Sequence, residues 1–146
     1  MAKSISKTIR RLIMCVVAFF AAAKTTADDT FVIVNKSTVE RVSYSDVEDV
    51  FTLRTKRWVN GVPVKVFLLP RDNPRTKEFA MKYLGMSANR YYDLVEGRES
   101  SGRGNIAQVV DTEVKMVIKI MTTPGSIGYA SESIVVNVDG DLIIIK

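Results

Sequence analysis

A loop-to-helix junction at residues 71–76 carries side chains of the types that hold inorganic oxyanions. Asn73 is a good helix N-cap and Pro74 a good first helical residue, so a helix is predicted to begin here. The start of a helix offers unsatisfied backbone N–H groups and the positive end of the helix dipole. Arg71 suits bidentate contact with phosphate or sulfate, Arg75 adds positive charge, and Thr76 adds a hydroxyl. The alternative to an oxyanion site is that Asn73 is only a cap, both arginines are solvated, and Thr76 is an ordinary helical residue.

A second polar cluster lies in residues 97–105, a Gly-rich run predicted to be a surface loop of nine residues. Ser101, Gly102, Gly104 and Asn105 are candidates to line the same anion site, since successive backbone N–H groups in such turns form anion-binding nests. The alternative is a flexible surface loop that binds no ligand.

Asn35 and Ser37 follow the carboxyl end of a short apolar run, Phe31–Asn35, which is typical of a strand buried on both faces. In open α/β folds, ligands bind beyond the carboxyl ends of parallel strands. We therefore expect these two residues at the same edge of the sheet as residues 71–76, as additional candidates for the site.

The residues that most often perform catalysis are scarce in this chain. It has no His, and its one Cys, Cys15, lies in a predicted signal peptide, so the mature chain would lack the commonest general base and the usual thiol and soft-metal chemistries. An enzyme would depend on carboxylates such as Asp46, Glu48 and Asp49, and their position at a predicted helix start explains them without catalysis. The sequence therefore predicts a protein that is not an enzyme and uses no cofactor or metal.

The first 23 residues have the pattern of a secretory signal peptide. Four Lys and Arg residues precede an uncharged apolar run, Leu12–Ala23, which is short for a membrane span. Cleavage is predicted after Ala23 or Ala27, and an uncleaved N-terminal anchor is the alternative. Removing residues 1–23 leaves 17 basic and 16 acidic residues, a net charge of +1, which gives no support for binding nucleic acid. We expect residues 24–146 to form one periplasmic domain without stable membrane insertion.

The rest of the chain alternates strand and helix patterns, which predicts a single α/β domain. Ser45 and Glu48 have the spacing of a capping box that begins a helix through Phe51. A buried strand is predicted at 63–69. Trp58, in the loop between them, is expected to pack against the core, because large aromatic side chains mostly serve burial.

Helix signals recur in the middle of the chain. Gly85 is suited to end the helix that begins at Asn73, and Ser87 to cap the next one. Residues 106–121 again have helical spacing, with Asp111 or Thr112 able to start a fresh helix. At the end of the chain, β-branched runs at 134–138 and 142–145 flank Asp139-Gly140, a pattern that predicts a C-terminal β-hairpin.

Residues 123–129 read Thr-Pro-Gly-Ser-Ile-Gly-Tyr and predict a passage from helix to strand. Pro124 cannot continue a helix, Gly125 permits a tight turn, and Ile127 and Tyr129 resume a two-residue period. This segment resembles a turn with the same residues in the same order in the phosphate-binding protein of ABC importers. That family is a member of the type 2 periplasmic-binding-protein superfamily.

Other segments resemble motifs of the same family in the same order. Trp58 and Gly61 resemble its W-x-x-G loop, Arg71 followed by Phe79 resembles R-x-D-G-S-G-T…F, and residues 102–105 resemble G-x-G-N. The resemblance covers roughly residues 31–130. One departure is that the family's phosphate-cradling Ser-Gly-Thr is replaced by Asn-Pro-Arg-Thr at residues 73–76.

The resemblance implies a fold and a function. The fold would be one lobe of a type 2 periplasmic binding protein, a mixed sheet flanked by helices with a C-terminal hairpin, since the family has two lobes and this chain has the length of one. The function would be weak binding of phosphate or a similar oxyanion in the periplasm, as a substrate-binding component of phosphate ABC transport with an envelope or transporter partner. The alternative is a ligand-free interaction or assembly module of the cell envelope.

Overall fold

The computed structural model describes residues 28–37, 40–138 and 140–146. The predicted signal peptide, with Cys15 and both cleavage sites, lies outside these residues. The described residues form five strands and five helices. In chain order these are β1 (Thr30–Asn35), α1 (Tyr44–Phe51), β2 (Lys65–Leu68), α2 (Pro74–Leu84), α3 (Ala88–Ser100), β3 (Ala107–Val109), α4 (Glu113–Thr122), β4 (Ser126–Ser131), α5 (Glu132–Val135) and β5 (Leu142–Ile145).

The strands form one mixed sheet in the order β3-β2-β4-β1-β5. β2 runs parallel to both β3 and β4, whereas β1 runs antiparallel to both β4 and β5. Every residue of β1 and β4 is buried, as expected for central strands covered on both faces. The mixed sheet flanked by helices confirms the predicted fold class.

Helices cover the two faces of the sheet in different ways. On one face, the rings of Phe79 in α2 and Tyr129 in β4 stack with their centroids 4.2 Å apart, and Phe51 in α1 lies 4.5 Å from Phe79. Tyr91 in α3 joins them by donating its hydroxyl to the Phe51 carbonyl (2.9 Å). On the other face, α4 packs against β4 at Gly128, where no side chain separates the two elements.

The predicted helix signals are partly confirmed. Asn73, Ser87 and Thr112 each cap a helix by accepting a backbone N–H, and Gly85 ends α2 in the left-handed conformation (φ 62°). The capping box predicted for Ser45 and Glu48 is wrong by two residues. Ser43 and Asp46 form it instead, because Ser43 is the last residue with extended backbone before α1 begins.

Two boundaries in the middle of the chain are also corrected. The nine-residue loop predicted at 97–105 is shorter, since α3 continues through Ser100 and Ser101 donates its N–H to the Gly97 carbonyl. Residues 107–109, predicted as helix, form β3, and α4 begins only at Glu113. Ile106, Val109 and Val110 are spaced for one face of a helix, but pairing with β2 determines the conformation.

The predicted C-terminal hairpin is wrong. Residues 132–135 form the short helix α5, and β5 pairs with β1 rather than with the segment that precedes it. The runs at 134–138 and 142–145 are both rich in β-branched residues, yet only the second pairs with a neighbouring strand, β1. Asp139 of the predicted turn lies outside the described residues.

The turn at residues 123–129 performs the predicted passage from helix to strand. α4 ends at Thr122, Gly125 is left-handed (φ 82°), and β4 begins at Ser126. Trp58 is buried and donates its indole N–H to the Gly125 carbonyl (2.9 Å), which confirms its packing role.

Candidate functional site

The start of α2 lies just beyond the carboxyl end of β2, where the sequence predicted an oxyanion site. The backbone N–H groups in the first turn of α2 already have hydrogen-bond acceptors within the chain. The Asn73 side-chain oxygen accepts the Arg75 N–H (2.9 Å), and the Asn73 carbonyl accepts the Thr76 N–H (3.0 Å). Pro74 has no N–H to offer. The backbone at this helix start therefore presents no unpaired donor among residues 74–76.

Thr76 faces the core and is fully buried. Its hydroxyl lies 2.7 Å from the Tyr129 hydroxyl and 2.9 Å from the Pro70 carbonyl. The Tyr129 oxygen in turn accepts the backbone N–H of Leu69 (3.0 Å), and burial raises the pKa of Tyr129 well above its ordinary value. Thr76 thus joins α2 to the sheet.

The guanidinium of Arg75 lies among three carboxylates. It contacts Glu78 at 3.0 Å, Asp28 at 3.4 Å and Glu113 at 3.5 Å, and its side chain is only 20% exposed. The three partners come from α2, from the residues preceding β1, and from α4. With three carboxylates around one guanidinium, this part of the edge is net negative, and an incoming anion would be repelled.

Two of these carboxylates also occupy backbone donors at the start of α5. Glu113 accepts the Ser131 N–H (2.7 Å), and Asp28 accepts both the N–H (2.9 Å) and the hydroxyl (2.5 Å) of Ser133. The hydrogen bonds from Ser133 are the main cause that holds the pKa of Asp28 below its ordinary value, with the nearby Arg75 charge adding to them. The N–H groups of Ser131 and Ser133 are therefore satisfied by carboxylates of the chain itself.

Arg71 is the more accessible of the two predicted arginine ligands, with 38% of its side chain exposed against 20% for Arg75. It contacts Asp93 (3.2 Å) and Glu96 (2.9 Å) on α3 and lies over the Tyr92 ring, 5.1 Å from its centroid. Both carboxylates are more than 60% exposed, and ion pairs of this kind are weak. Burial raises the pKa of Tyr92 to about 12, so the ring stays a neutral phenol beneath the guanidinium.

The second predicted cluster lies at the other end of the strands, where β2 and β3 begin. It consists of Ser101, Gly102, Gly104 and Asn105. Asn105 donates its side-chain amide to the carbonyl of Val64, just before β2 begins, whereas residues 71–76 follow the end of that strand. The structure therefore does not bring the two predicted clusters together at one mouth.

Asn35 and Ser37 also lie at the edge opposite residues 71–76, because β1 runs antiparallel to β4. Asn35 is 4% exposed and donates its amide to the carbonyls of Ile120 (2.8 Å) and Met121 (3.2 Å). It thereby satisfies carbonyl groups in the last turn of α4, which is a structural use of the side chain.

A cleft of about 650 Å³ at this second edge was not predicted from the sequence. Lys36, Arg41 and Arg57 lie around it, together with the acidic side chains of Glu40 and Asp46. Asp46 is already bonded to Ser43 in the capping box. These charged residues are spread over residues 36–57 without a regular spacing, so no local motif indicates the cleft.

No cluster of three or more His, Cys, Asp or Glu residues suited to a metal ion occurs in the part of the chain that the structure describes. Among the same residues, no helix combines the length and the apolar character required to cross a membrane.

Comparison with known proteins identifies the fold. No protein-family model matches the chain, and no curated protein is significantly similar to it. Among solved structures, the chain is similar to a protein from Clostridium perfringens, assigned as a phosphate ABC transporter substrate-binding protein and solved with bound phosphate. The TM-score is 0.58 at 18% identity, over 82% of this chain and 44% of that one.

A second solved structure gives the same result. It is a protein from Planctomyces limnophilus assigned as phosphate-binding, with a TM-score of 0.57 at 13% identity, over 82% of this chain and 41% of that one. The chain thus spans less than half the length of these two proteins. Its described residues share the mixed α/β fold of the matched part of these two binding proteins.

Proposed function

We propose that this chain is a non-catalytic interaction module of the cell envelope, built on one lobe of a periplasmic-binding-protein fold. The observation that carries the proposal is the closure of the predicted anion site by the chain's own groups. Arg75 is held by three carboxylates, and two of them occupy the backbone donors of Ser131 and Ser133. A surface held closed in this way favours contact with a protein partner over capture of a free anion.

The electrostatics of the edge support the same proposal. An anion that entered beside Arg75 would have to displace at least one carboxylate from a guanidinium that is four-fifths buried. Displacing Glu113 would leave the buried N–H of Ser131 without its acceptor, at a cost of about 1–3 kcal/mol, whereas the N–H of the exposed Ser133 could bond water instead. Small oxyanions bind tightly only where such donors stand free before the ligand arrives.

Binding of phosphate or a similar oxyanion is the second candidate function, as part of phosphate ABC transport in the periplasm. Two observations favour it: a structural relative was solved with phosphate bound, and Arg71 is held only by exposed ion pairs. A single lobe offers one wall, so the anion would stay partly hydrated and the affinity would be modest unless a partner supplied a second wall.

Calorimetry separates the two functions. The full sequence would be expressed for export, and the mass of the purified protein would show whether residues 1–23 are removed. We expect no heat with phosphate or sulfate at millimolar concentration from the folded protein. Saturable binding that is lost in Arg71→Ala but kept in Lys77→Ala, a matched loss of one exposed charge on α2, would establish the oxyanion function in place of the proposed one.

A further inference from the structure

The outer strand β3 has an unpaired side. It forms one end of the sheet, with β2 as its only neighbour among the described strands. Val110 donates its N–H inward to the Leu68 carbonyl (2.7 Å), and backbone groups alternate in direction along a strand. The N–H and C=O of Val109 therefore point away from the sheet. The N–H of Ala107 also points outward, where the Glu99 carboxylate accepts it (2.7 Å).

The side chains of β3 itself do not protect this edge, although the Glu99 carboxylate covers its first outward N–H. Natural edge strands are commonly blocked by charged residues, proline or a bulge, because open edges invite pairing with another chain. β3 reads Ala-Gln-Val and carries none of these. Ile106 and Val109 are 72% and 57% exposed, so apolar surface accompanies the open backbone. Such an edge is suited to strand addition by an extended peptide.

A groove runs beside this edge on the face of the sheet that α4 covers. It consists of two adjoining cavities of about 460 and 390 Å³, which share Phe67, Gln108 and Lys119 as lining residues. Phe67 and Gln108 are paired in register on β2 and β3, and Lys119 belongs to α4. α4 lies over the centre of the sheet, so the groove is the space left between this helix and the outer strand.

The charge of the groove is positive. Lys65, Lys115 and Lys119 line it, against one carboxylate, Asp111, which contacts Lys115 at 3.0 Å. Within the described residues, neither Lys65 nor Lys119 has an ion-pair partner. Side chains of an added strand that face α4 would enter this groove and meet the two ammonium groups.

We propose that β3 and this groove bind an extended, acidic segment of a partner protein, which adds as a strand to β3 and places Asp or Glu side chains beside Lys65 and Lys119. The inference rests on the proposed interaction function and names the partner's chemistry. A second copy of the chain is a poorer occupant, because it would bring the same lysines to the same edge and like charges repel.

The test uses the full-length exported protein, labelled with ¹⁵N, and two acetylated hexapeptides as probes. One peptide alternates Val with Glu, and the other alternates Val with Lys. We expect only the acidic peptide to shift the amide signals of β3 in a saturable titration. Lys65→Glu combined with Lys119→Glu should weaken its binding about tenfold or more, because two attractive charges become repulsive. Lys77→Glu, the same change on α2, should leave the binding unaltered.

A second pair of variants tests the backbone contact. Val109→Pro removes the outward N–H without touching the inward bonds to β2 and should abolish binding, whereas Val109→Thr keeps the N–H and should retain it. Equal binding of both peptides, no shift at β3 with a folded protein, or unchanged affinity in the lysine variant would each overturn the proposal. Concentration-dependent dimerisation through β3 would overturn it in favour of a second copy. None of these results affects the phosphate calorimetry, so a failure of this inference is distinguishable from a failure of the proposed function.

Discussion

The hydroxyl groups of Thr76 and Tyr129 meet in the core at 2.7 Å and connect the start of α2 to the middle of the sheet. Both oxygens also serve backbone groups of the segment between β2 and α2, since Thr76 contacts the Pro70 carbonyl and Tyr129 accepts the Leu69 N–H. At the scale of single residues, this junction is therefore specified by buried hydrogen bonds. A threonine at the start of a helix beside two arginines suggests an anion ligand, but here its hydroxyl is used by the core.

Tyr129→Phe tests the importance of this buried contact. The ring keeps its stack on Phe79, but the Leu69 N–H loses its acceptor and Thr76 loses one partner. We expect the free energy of unfolding to fall by about 1–3 kcal/mol, measured by urea denaturation. Tyr44→Phe is the control, because that side chain is 56% exposed and its hydroxyl bonds only the exposed Lys146 carbonyl, so it should change the stability by less than about 0.5 kcal/mol. Similar losses in both variants would contradict this role for Tyr129.

At the scale of elements, α4 and β4 approach closely because Gly128 has no side chain. A Cβ atom built at Gly128 would overlap the Met116 sulfur and lie 3.2 Å from the Ile120 Cδ1 atom. The helix therefore rests directly on the strand. This close contact determines the position of α4 over the centre of the sheet and leaves β3 outside its cover.

Gly128→Ala is expected to destabilise the protein by about 1–3 kcal/mol, because the added methyl overpacks the contact between α4 and β4. Gly97→Ala is the matched control. It lies inside α3, where an added methyl would meet open space, and it should raise stability by about 0.5–1 kcal/mol by restricting the unfolded chain. Thermal or urea unfolding of the two variants gives the comparison. A neutral Gly128→Ala would show that Met116 moves aside at little cost.

The elements that the sequence predicted well are those with local signals. Asn73, Ser87 and Thr112 each mark a helix start because a cap depends only on the next three residues. β3 was missed because its three residues become a strand by pairing with β2, 41 residues earlier in the chain. The predicted hairpin was wrong for the same reason. Glu113 accepts the Ser131 N–H and Asp28 accepts the Ser133 N–H, and these contacts with distant residues stabilise the start of α5. Tertiary partners of this kind leave no local pattern.

At the scale of the whole molecule, the direction of β1 determines which polar residues lie together. Because β1 is antiparallel to β4, its carboxyl end lies at the opposite end of the strands from that of β4. The sequence indicated one mouth that joined residues 35–37, 71–76 and 101–105, which would require the strands concerned to end together. β1 is antiparallel to β4, and residues 101–105 precede β3, so only residues 71–76 lie at the carboxyl end of β2. The individual polar residues were thus identified, but their assembly depends on topology, which single-sequence patterns do not determine.

The carboxylate network at that edge makes stability depend on pH, and Asp28 provides the test. Its pKa in the folded protein lies below the ordinary value of 3.8, chiefly because Ser133 donates hydrogen bonds to it. A lowered folded-state pKa contributes stability that is present above pH 3.8 and is lost as the pH falls through the folded value.

The urea midpoint of the native protein should therefore decline more steeply below about pH 4 than that of Asp28→Asn, and the two should converge in strong acid. Ser133→Ala should have an intermediate effect, since the backbone N–H of residue 133 remains to bond the carboxylate. Parallel pH profiles for the native protein and Asp28→Asn would show that the network does not connect the residues before β1 to α2 and α5 in solution.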